Sequence, residues 1–213
     1  ISPDPACRRM MGLSLRNVRL TLLRDGKALF TEQGEALFTH FGLSGPLVLS
    51  ASTYIEDLPR HTWVCEFDLK PALDEKTLYD RLTRDFAALG GHSVQGALEK
   101  LLPHSMRPVA VEKWGVDPAA RAAQVTREQK QALVQLCKHW QVPVTALGDR
   151  EHAVVTAGGV DVREVDPKTM ASKRCPGLYF AGEVLDVDAR TGGYNLQIAW
   201  STAQAAARAV AGM

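Results

Sequence analysis

Residues 177–200 read GLYFAGEVLDVDARTGGYNLQIAW, and this stretch decides which fold the chain is expected to adopt. Its apolar run at 178–181 ends abruptly in Gly182-Glu183, and the pair Gly192-Gly193 opens an alanine-rich segment that continues to the C-terminus. Glycines at the end of a buried strand and at the start of a helix let a ligand lie close to the backbone. The stretch therefore predicts a strand, a ligand-binding corner and a helix.

Two parts of this corner carry distinct chemistry. Glu183 follows the predicted strand, and its carboxylate can accept hydrogen bonds from a sugar-like hydroxyl. The alternative is that Glu183 is a solvated residue of a loop. The amino end of the helix would present unpaired N–H groups and partial positive charge, which suit the negative edge of a reduced flavin. The alternative is a plain loop with Asn195 as the helix N-cap. The candidate residues at this helix start are Thr191, Gly192, Gly193, Tyr194, Asn195 and Leu196.

A second glycine pair, Gly158-Gly159, follows an apolar run at 153–157 that predicts a short strand. Glycine at this place permits a positive φ or a close approach to a ligand, and a plain turn explains it equally well. The pair alone is therefore a weak signal.

The other residues that could carry chemistry are isolated. His40 lies in a loop before a helix expected at Ser44-Gly45-Pro46, either as a proton carrier near a substrate or as a hydrogen-bonded structural histidine. Asp186 and Asp188 have no further ligands at matching spacing, so no metal site is predicted. The four cysteines are widely spaced without a CxxC, which predicts free thiols and a reducing, cytoplasmic location.

The hydrophobic period changes twice along the chain. Residues 13–69 alternate between apolar and polar, as in Trp63, Cys65, Phe67 and Leu69, and predict strands that include return strands at 27–31 and 36–39. Residues 74–141 carry apolar residues at helical spacing. We expect three parts, which are a β-rich barrel-like part at 1–71, a helical part at 72–147 and a third segment at 148–213.

The helical part is expected to be mostly structural. Its first helix would bury Leu78, Leu82 and Phe86, and Ser93 would cap a second helix. Thr126 and Gln129 form a capping box for a third helix, whose apolar side would include Leu133, Leu136, Cys137 and Trp140.

Composition excludes some partners. The formal net charge is +1, and no segment interleaves basic and aromatic residues, so no nucleic-acid partner is predicted. No apolar run approaches the roughly 20 residues of a membrane span. The chain starts at Ile1 without a signal-peptide pattern, which suggests a processed chain or a fragment.

Four stretches together resemble the aminoacetone-oxidase-like family of FAD-binding flavoproteins, also described as NAD(P)/FAD-dependent oxidoreductases. These stretches are FTHFGLSGP at 38–46, TAGGV at 156–160, TMASK at 169–173 and the opening stretch at 177–200. The resemblance implies an α/β protein, α+β within this chain, with a partial Rossmann-like FAD domain interrupted by barrel-like and helical insertions.

The resemblance also implies where FAD would lie. Gly182 and Glu183 would approach its ribityl or pyrophosphate part, and residues 191–196 would face the isoalloxazine edge. Thr156, Gly158 and Gly159 would line the flavin region. NAD(P)H is the candidate electron donor, and a small molecule is the expected substrate.

The chain departs from that family in one large respect. Members begin with a strand, a GxGxxG loop and a helix that hold the pyrophosphate, and no GxGxxG occurs in these residues. We therefore expect the C-terminal half of an FAD-dependent oxidoreductase, whose N-terminal half is its partner, and weak or no FAD binding by this chain alone. The alternatives are a non-catalytic interaction or substrate-capping module, and a relative of tRNA-modifying flavoproteins.

Overall fold

The computed structural model describes residues 1–212, with the backbone alone at His152. These residues divide into two compact units, Ile1–Leu147 and Gly148–Met213. The mixed α+β class expected from the sequence is confirmed, because the first unit combines a curled antiparallel sheet with helices.

The sheet of the first unit has five strands in the described part of the chain, in the spatial order β3-β2-β1-β4-β5. All of its neighbouring strands are antiparallel. The strands are β1 (Ser14–Arg24), β2 (Lys27–Thr39), β3 (Gly42–Ser44), β4 (Trp63–Asp68) and β5 (Trp140–Val144).

The alternation in the sequence explains which face of the sheet is buried. Leu20 of β1 pairs with Phe67 of β4, and Leu22 pairs with Cys65, and all four side chains are buried. The two short return strands expected at 27–31 and 36–39 are one continuous strand, β2. The polar residues between them stay in the ladder, where Gln33 pairs with Arg19 of β1.

The first two residues connect the outer edges of this sheet. The Ile1 ammonium donates to the Ala146 carbonyl at 2.6 Å, and the Thr145 amide donates to the Ile1 carbonyl at 3.0 Å. The Ser2 amide donates to the Phe41 carbonyl at 2.9 Å, beside β3. These bonds curl the sheet toward a barrel, since β3 and β5 are its two edge strands.

The helices of the first unit pack against the sheet and against one another. They are α1 (Pro5–Arg9), α2 (Pro46–Ser52), α3 (Glu75–Ala88), α4 (Val94–Ala97), α5 (Arg107–Trp114) and α6 (Arg127–Lys138). The predicted burial of Leu78, Leu82 and Phe86 along α3 is confirmed. Ser93 caps α4 as predicted, by accepting a hydrogen bond from the Gly96 amide at 3.1 Å.

The placement of Trp140 on the third predicted helix is wrong. Helix α6 ends at Lys138, and Trp140 begins β5, opposite Phe67 of β4. Its side chain is buried all the same. A buried tryptophan four residues after an inward-facing leucine fits helical spacing, and only the neighbouring strand shows that the chain has become extended.

Lys138, at the end of α6, forms hydrogen bonds with the end of β4 and with the segment that follows it. Its ammonium group donates to the Asp68 carboxylate at 2.6 Å, the Leu73 carbonyl at 2.7 Å and the Lys70 carbonyl at 3.2 Å. Both charged side chains are largely buried, at 13% and 12% exposure. These three contacts connect the end of helix α6 to the last residue of strand β4 and to the segment that follows it.

The capping box of α6 supports a first prediction. The Thr126 hydroxyl accepts from the Gln129 amide at 3.2 Å, and the Gln129 side chain accepts from the Thr126 amide at 2.8 Å. We expect Thr126→Ala to lower the free energy of unfolding by about 1 kcal/mol, because an amide of the first turn loses its partner. Urea denaturation measures this. Thr126→Ser keeps the hydroxyl and is the control, and an equal loss in both variants would contradict the capping role.

The second unit has little regular structure before its long helix, α7 (Tyr194–Val210). Its buried core is small and consists of Val165, Met170 and Leu185. The strands expected at 153–157 and 178–181 are wrong. No described residue runs alongside the first stretch as a strand, and the second makes only a bridge between Tyr179 and Ala171. Within residues 1–212, no helix is long and apolar enough to cross a membrane.

Candidate functional site

Gly159 lies against the chain's own backbone. A Cβ atom at this position would be 2.6 Å from the Val184 carbonyl oxygen and 2.9 Å from the Asp186 nitrogen. The backbone of Val160 pairs with the same segment, donating to Val184 at 2.8 Å and accepting from Asp186 at 2.9 Å. The close approach that the sequence suggested at this glycine is therefore to residues 184–186. Gly158, with φ +93°, has open space around it.

The pairing at Val160 holds the turn Gly182–Val184, which the sequence identified as a ligand-binding corner. Gly182 has φ +73°, a conformation that favours glycine, and its amide donates to the Thr202 hydroxyl at 3.0 Å. Thr202 belongs to α7, so this bond connects the corner to the helix. The sequence reasoning missed Thr202, because a threonine on an alanine-rich helix carries no signal of its own.

Glu183 is the middle residue of this turn, and its side chain is exposed. It makes no hydrogen bond or ion pair with any residue that the structure describes. Its carboxylate can therefore accept hydrogen bonds from a hydroxyl-bearing ligand without breaking an existing contact. Thr156 is also exposed, in an irregular segment.

The amino end of α7 is open. Its N-cap is Gly193, with φ +90°, and no side chain caps it. The alternative prediction, that Asn195 is the N-cap, is wrong. The side-chain amide of Asn195 instead accepts a hydrogen bond from the Ala189 N–H at 2.8 Å and donates one to the Ala189 carbonyl at 2.9 Å. Gly192 has φ +117°. The first-turn amides thus keep their partial positive charge without a capping oxygen from a side chain.

Helix α7 presents apolar side chains without burying any residue. Tyr194, Leu196 and Trp200 are 62%, 61% and 67% exposed. An apolar cavity of about 190 Å³ lies beside Thr202 and is lined in part by Val165, Leu185 and Ile198. Several large apolar side chains exposed on one helix suggest a surface that another part of a protein covers.

Several charged groups of the second unit form contacts with nearby residues. Hydrogen bonds from Arg163 lower the pKa of Asp161 to about 2, and the amides of Lys168 and Thr169 lower the pKa of Asp166. Asp186 and Asp188 are exposed. Among the described side chains, no group of three His, Cys, Asp or Glu could hold a metal ion.

The first unit contains the other candidates. His40 is exposed in the turn between β2 and β3, with its ring 5.0 Å from that of Phe41, and no described residue forms a hydrogen bond with it. Burial raises the pKa of the Cys65 and Cys137 thiols to about 12. These two cysteines therefore stay protonated and unreactive near neutral pH.

The curled antiparallel sheet and the helices that follow it define a mixed α+β class of protein. The chain belongs to the family described as HI0933-like protein barrel and H2TH domain, which matches residues 1–155. The finer resemblance of the motifs, to the aminoacetone-oxidase-like group, stays a prediction.

Curated relatives extend this comparison. The chain is 34% identical over 207 residues to a ribosomal RNA dihydrouridine synthase of Haemophilus influenzae, covering 97% of this chain and 48% of the relative. It is 37% identical over 172 residues to the Escherichia coli protein of that name, covering 81% and 41%. It is 28% identical over 197 residues to a 3-dehydro-bile acid delta(4,6)-reductase of Clostridium scindens, covering 92% and 48%. The chain thus spans about half the length of these relatives.

The expectation of no nucleic-acid partner is wrong. Two relatives are named for action on ribosomal RNA, at 34% and 37% identity. The expectation came from a net charge of +1, which sums over the whole chain, and from the lack of a segment that interleaves basic and aromatic residues. RNA binding depends on where cations lie together on the surface, and a net charge does not report that.

Proposed function

We propose that this chain is part of an FAD-dependent reductase that adds hydrogen across a carbon–carbon double bond, with uridine in RNA as its substrate class. Dihydrouridine differs from uridine by reduction of one ring double bond, and a delta(4,6)-reductase also acts on carbon–carbon double bonds. The reactions for which these relatives are named therefore have the reduction of a carbon–carbon double bond in common. The observation that carries the proposal is the amino end of α7, which no side chain caps. The exposed Glu183 supports it, because its turn is bonded to Thr202 of the same helix.

The residues of the second unit suit one side of a flavin. When bound, FAD would supply hydride to the double bond. The first-turn amides of α7 would stabilise negative charge on the isoalloxazine edge, next to Thr191, Gly192, Gly193, Tyr194, Asn195 and Leu196. Glu183, with Gly182, would accept hydrogen bonds from the ribityl hydroxyls. Thr156, Gly158 and Gly159 would line the same region, with Gly159 acting through the position of 184–186.

We further propose that a partner half completes the FAD site. The exposed apolar side chains of α7, together with the lack of a GxGxxG loop in the sequence, support a division of the site between two segments. In this proposal, residues 1–71 and 72–147 are insertions, 148–213 closes a Rossmann-like FAD domain, and NAD(P)H supplies the electrons. His40 stays a candidate proton carrier.

Reconstitution tests the flavin site. We expect the chain alone to be colourless, and co-expression with the part of the Haemophilus influenzae relative that it does not match to give a yellow complex with a flavin absorbance band. Gly193→Ala is expected to weaken FAD binding by the complex about tenfold, a loss of roughly 1.4 kcal/mol, because a methyl group would project where a flat ligand meets the helix.

Gly177→Ala is the matched control for that variant. Both glycines have positive φ, +90° and +82°, and neither has an atom within 4 Å of an added Cβ, so the backbone cost is similar. A colourless complex would favour the non-catalytic module, and equal FAD loss in both variants would argue against the flavin position.

Given FAD and NAD(P)H, formation of dihydrouridine in an RNA transcript is the expected activity, and reduction of a steroid enone alone would point to the second substrate class.

A further inference from the structure

Two arginines of the first unit are held at one turn of the chain. Arg81 of α3 donates from Nη2 to the Lys100 carbonyl at 2.7 Å. Arg107, the first residue of α5, donates from Nε to the Leu102 carbonyl at 3.1 Å and from Nη2 to the Glu99 carbonyl at 3.5 Å. The segment 99–102 therefore gathers two guanidinium groups around the exposed residue Lys100.

The positive charge at this turn is only partly compensated. A carbonyl oxygen orients a guanidinium group but carries no net charge, so both arginines keep theirs. Asp85 lies 3.5 Å from Arg81, and the nearby Glu99 is exposed. Burial, and after it the charge of Arg81, lower the pKa of the Lys70 ammonium group. That group forms no hydrogen bond with any residue in the described part of the chain.

Arg84 extends this positive region along α3. It lies three residues after Arg81, which places both on the same side of the helix, and its side chain is exposed. Neither Arg84 nor Lys100 has a side-chain hydrogen bond or ion pair within residues 1–212. Both can therefore contact an external anion without giving up a contact that stabilises the fold.

We infer that the basic surface formed by Arg81, Arg84, Lys100 and Arg107 binds the phosphate groups of the RNA backbone. This inference rests on the proposed function, which supplies RNA as the partner. Guanidinium groups whose orientation is set by carbonyl bonds keep free N–H donors, and their fork geometry matches phosphate oxygens. The sequence conceals this surface because its residues are spread over 81–107 and alternate with carboxylates such as Asp85 and Glu99.

The test is the binding of the whole chain to a fluorescein-labelled RNA hairpin, followed by anisotropy at several salt concentrations. The double variant Arg84→Ala/Lys100→Ala is expected to bind about tenfold more weakly at low salt. The slope of log K against log salt should fall in magnitude by about 1.4 to 1.8, because two phosphate contacts are lost. Neither side chain supports the fold, so circular dichroism and thermal unfolding should be unchanged.

The matched control is Lys76→Ala/Arg16→Ala, which removes the same charge from exposed positions on α3 and β1. The inference is overturned if both double variants weaken binding equally, or if the unmodified chain does not bind the hairpin. It is also overturned if the Arg84/Lys100 variant binds like the unmodified chain. This measurement uses no flavin, so failure of the proposed reductase would appear separately, in the reconstitution experiment.

Discussion

Replacing Gly159 by alanine is expected to lower the stability of the second unit by about 2–4 kcal/mol. The new Cβ atom would lie 2.6 Å from the Val184 carbonyl oxygen, which is backbone and cannot rotate away. The two segments must separate, and the hydrogen bonds on both sides of Val160 are then lost. Because Val165, Met170 and Leu185 form only a small core, little else holds these segments together.

Hydrogen exchange measures this effect locally. The amides of Val160 and Asp186 form the two bonds in question, and their exchange in Gly159→Ala is expected to be about 30-fold faster or more. Gly158→Ala is the control. It has φ +93° and open space, so it carries the conformational cost of about 1 kcal/mol without the collision. Equal acceleration in both variants would show that backbone conformation, and not the close approach, explains this glycine pair.

Phe67→Ala is expected to lower the free energy of unfolding of the first unit by about 3–5 kcal/mol. Phe67 is fully buried in β4, a strand with neighbours on both sides. It pairs with Leu20 of β1 and Trp140 of β5, and its ring centroid is 6.2 Å from that of Phe38. Removal of the ring would leave a cavity where strands on both sides of β4 meet.

Urea denaturation followed by far-UV circular dichroism measures the loss. Leu29→Ala is the control, because Leu29 lies in β2 of the same sheet and is 38% exposed. That variant is expected to cost about 0.5 kcal/mol. A Phe67→Ala protein as stable as Leu29→Ala would mean that the sheet does not form the buried core described above.

The barrel could be predicted because its signal is local. Trp63, Cys65 and Phe67 alternate with less buried residues. In an antiparallel sheet with one buried face, this alternation directly indicates a strand and the face that it buries. The buried residues of α3 and the capping box of α6 were predictable for the same reason, since each depends on residues within two turns of a helix. In all these cases the signal lies in residues that are close in sequence, although the strands of the sheet pair with distant ones.

The second unit shows where local signals mislead. The apolar residues at 153–157 and 178–181 resemble buried strands, but a strand exists only when a neighbour accepts its hydrogen bonds. Gly159, in the glycine pair at 158–159, was expected either to lie close to a ligand or to belong to a plain turn. Its neighbour is the backbone of 184–186, which lies more than 20 residues away.

The basic surface is a third case. Arg81 and Arg107 belong to different helices, and neither stands in a run of like charge. Only the folded turn at 99–102, to whose carbonyls both arginines donate, brings them together. This explains why a nearly neutral composition led to the wrong expectation about nucleic acid.

The sequence by itself determined the alternating strands, the helix caps, the apolar sides of the helices and the two glycine pairs, because each follows from the backbone and side-chain preferences of neighbouring residues. Only the tertiary structure decided what those features contact. It paired Val160 with 184–186, bonded Gly182 to Thr202, left the start of α7 uncapped and gathered the arginines at one turn. Such contacts join residues that are distant along the chain, and no local preference specifies them. In residues 177–200, where the sequence predicted a ligand-binding corner, the structure shows a turn held by the backbone of Val160 and by Thr202 of α7, and a helix start without a side-chain cap.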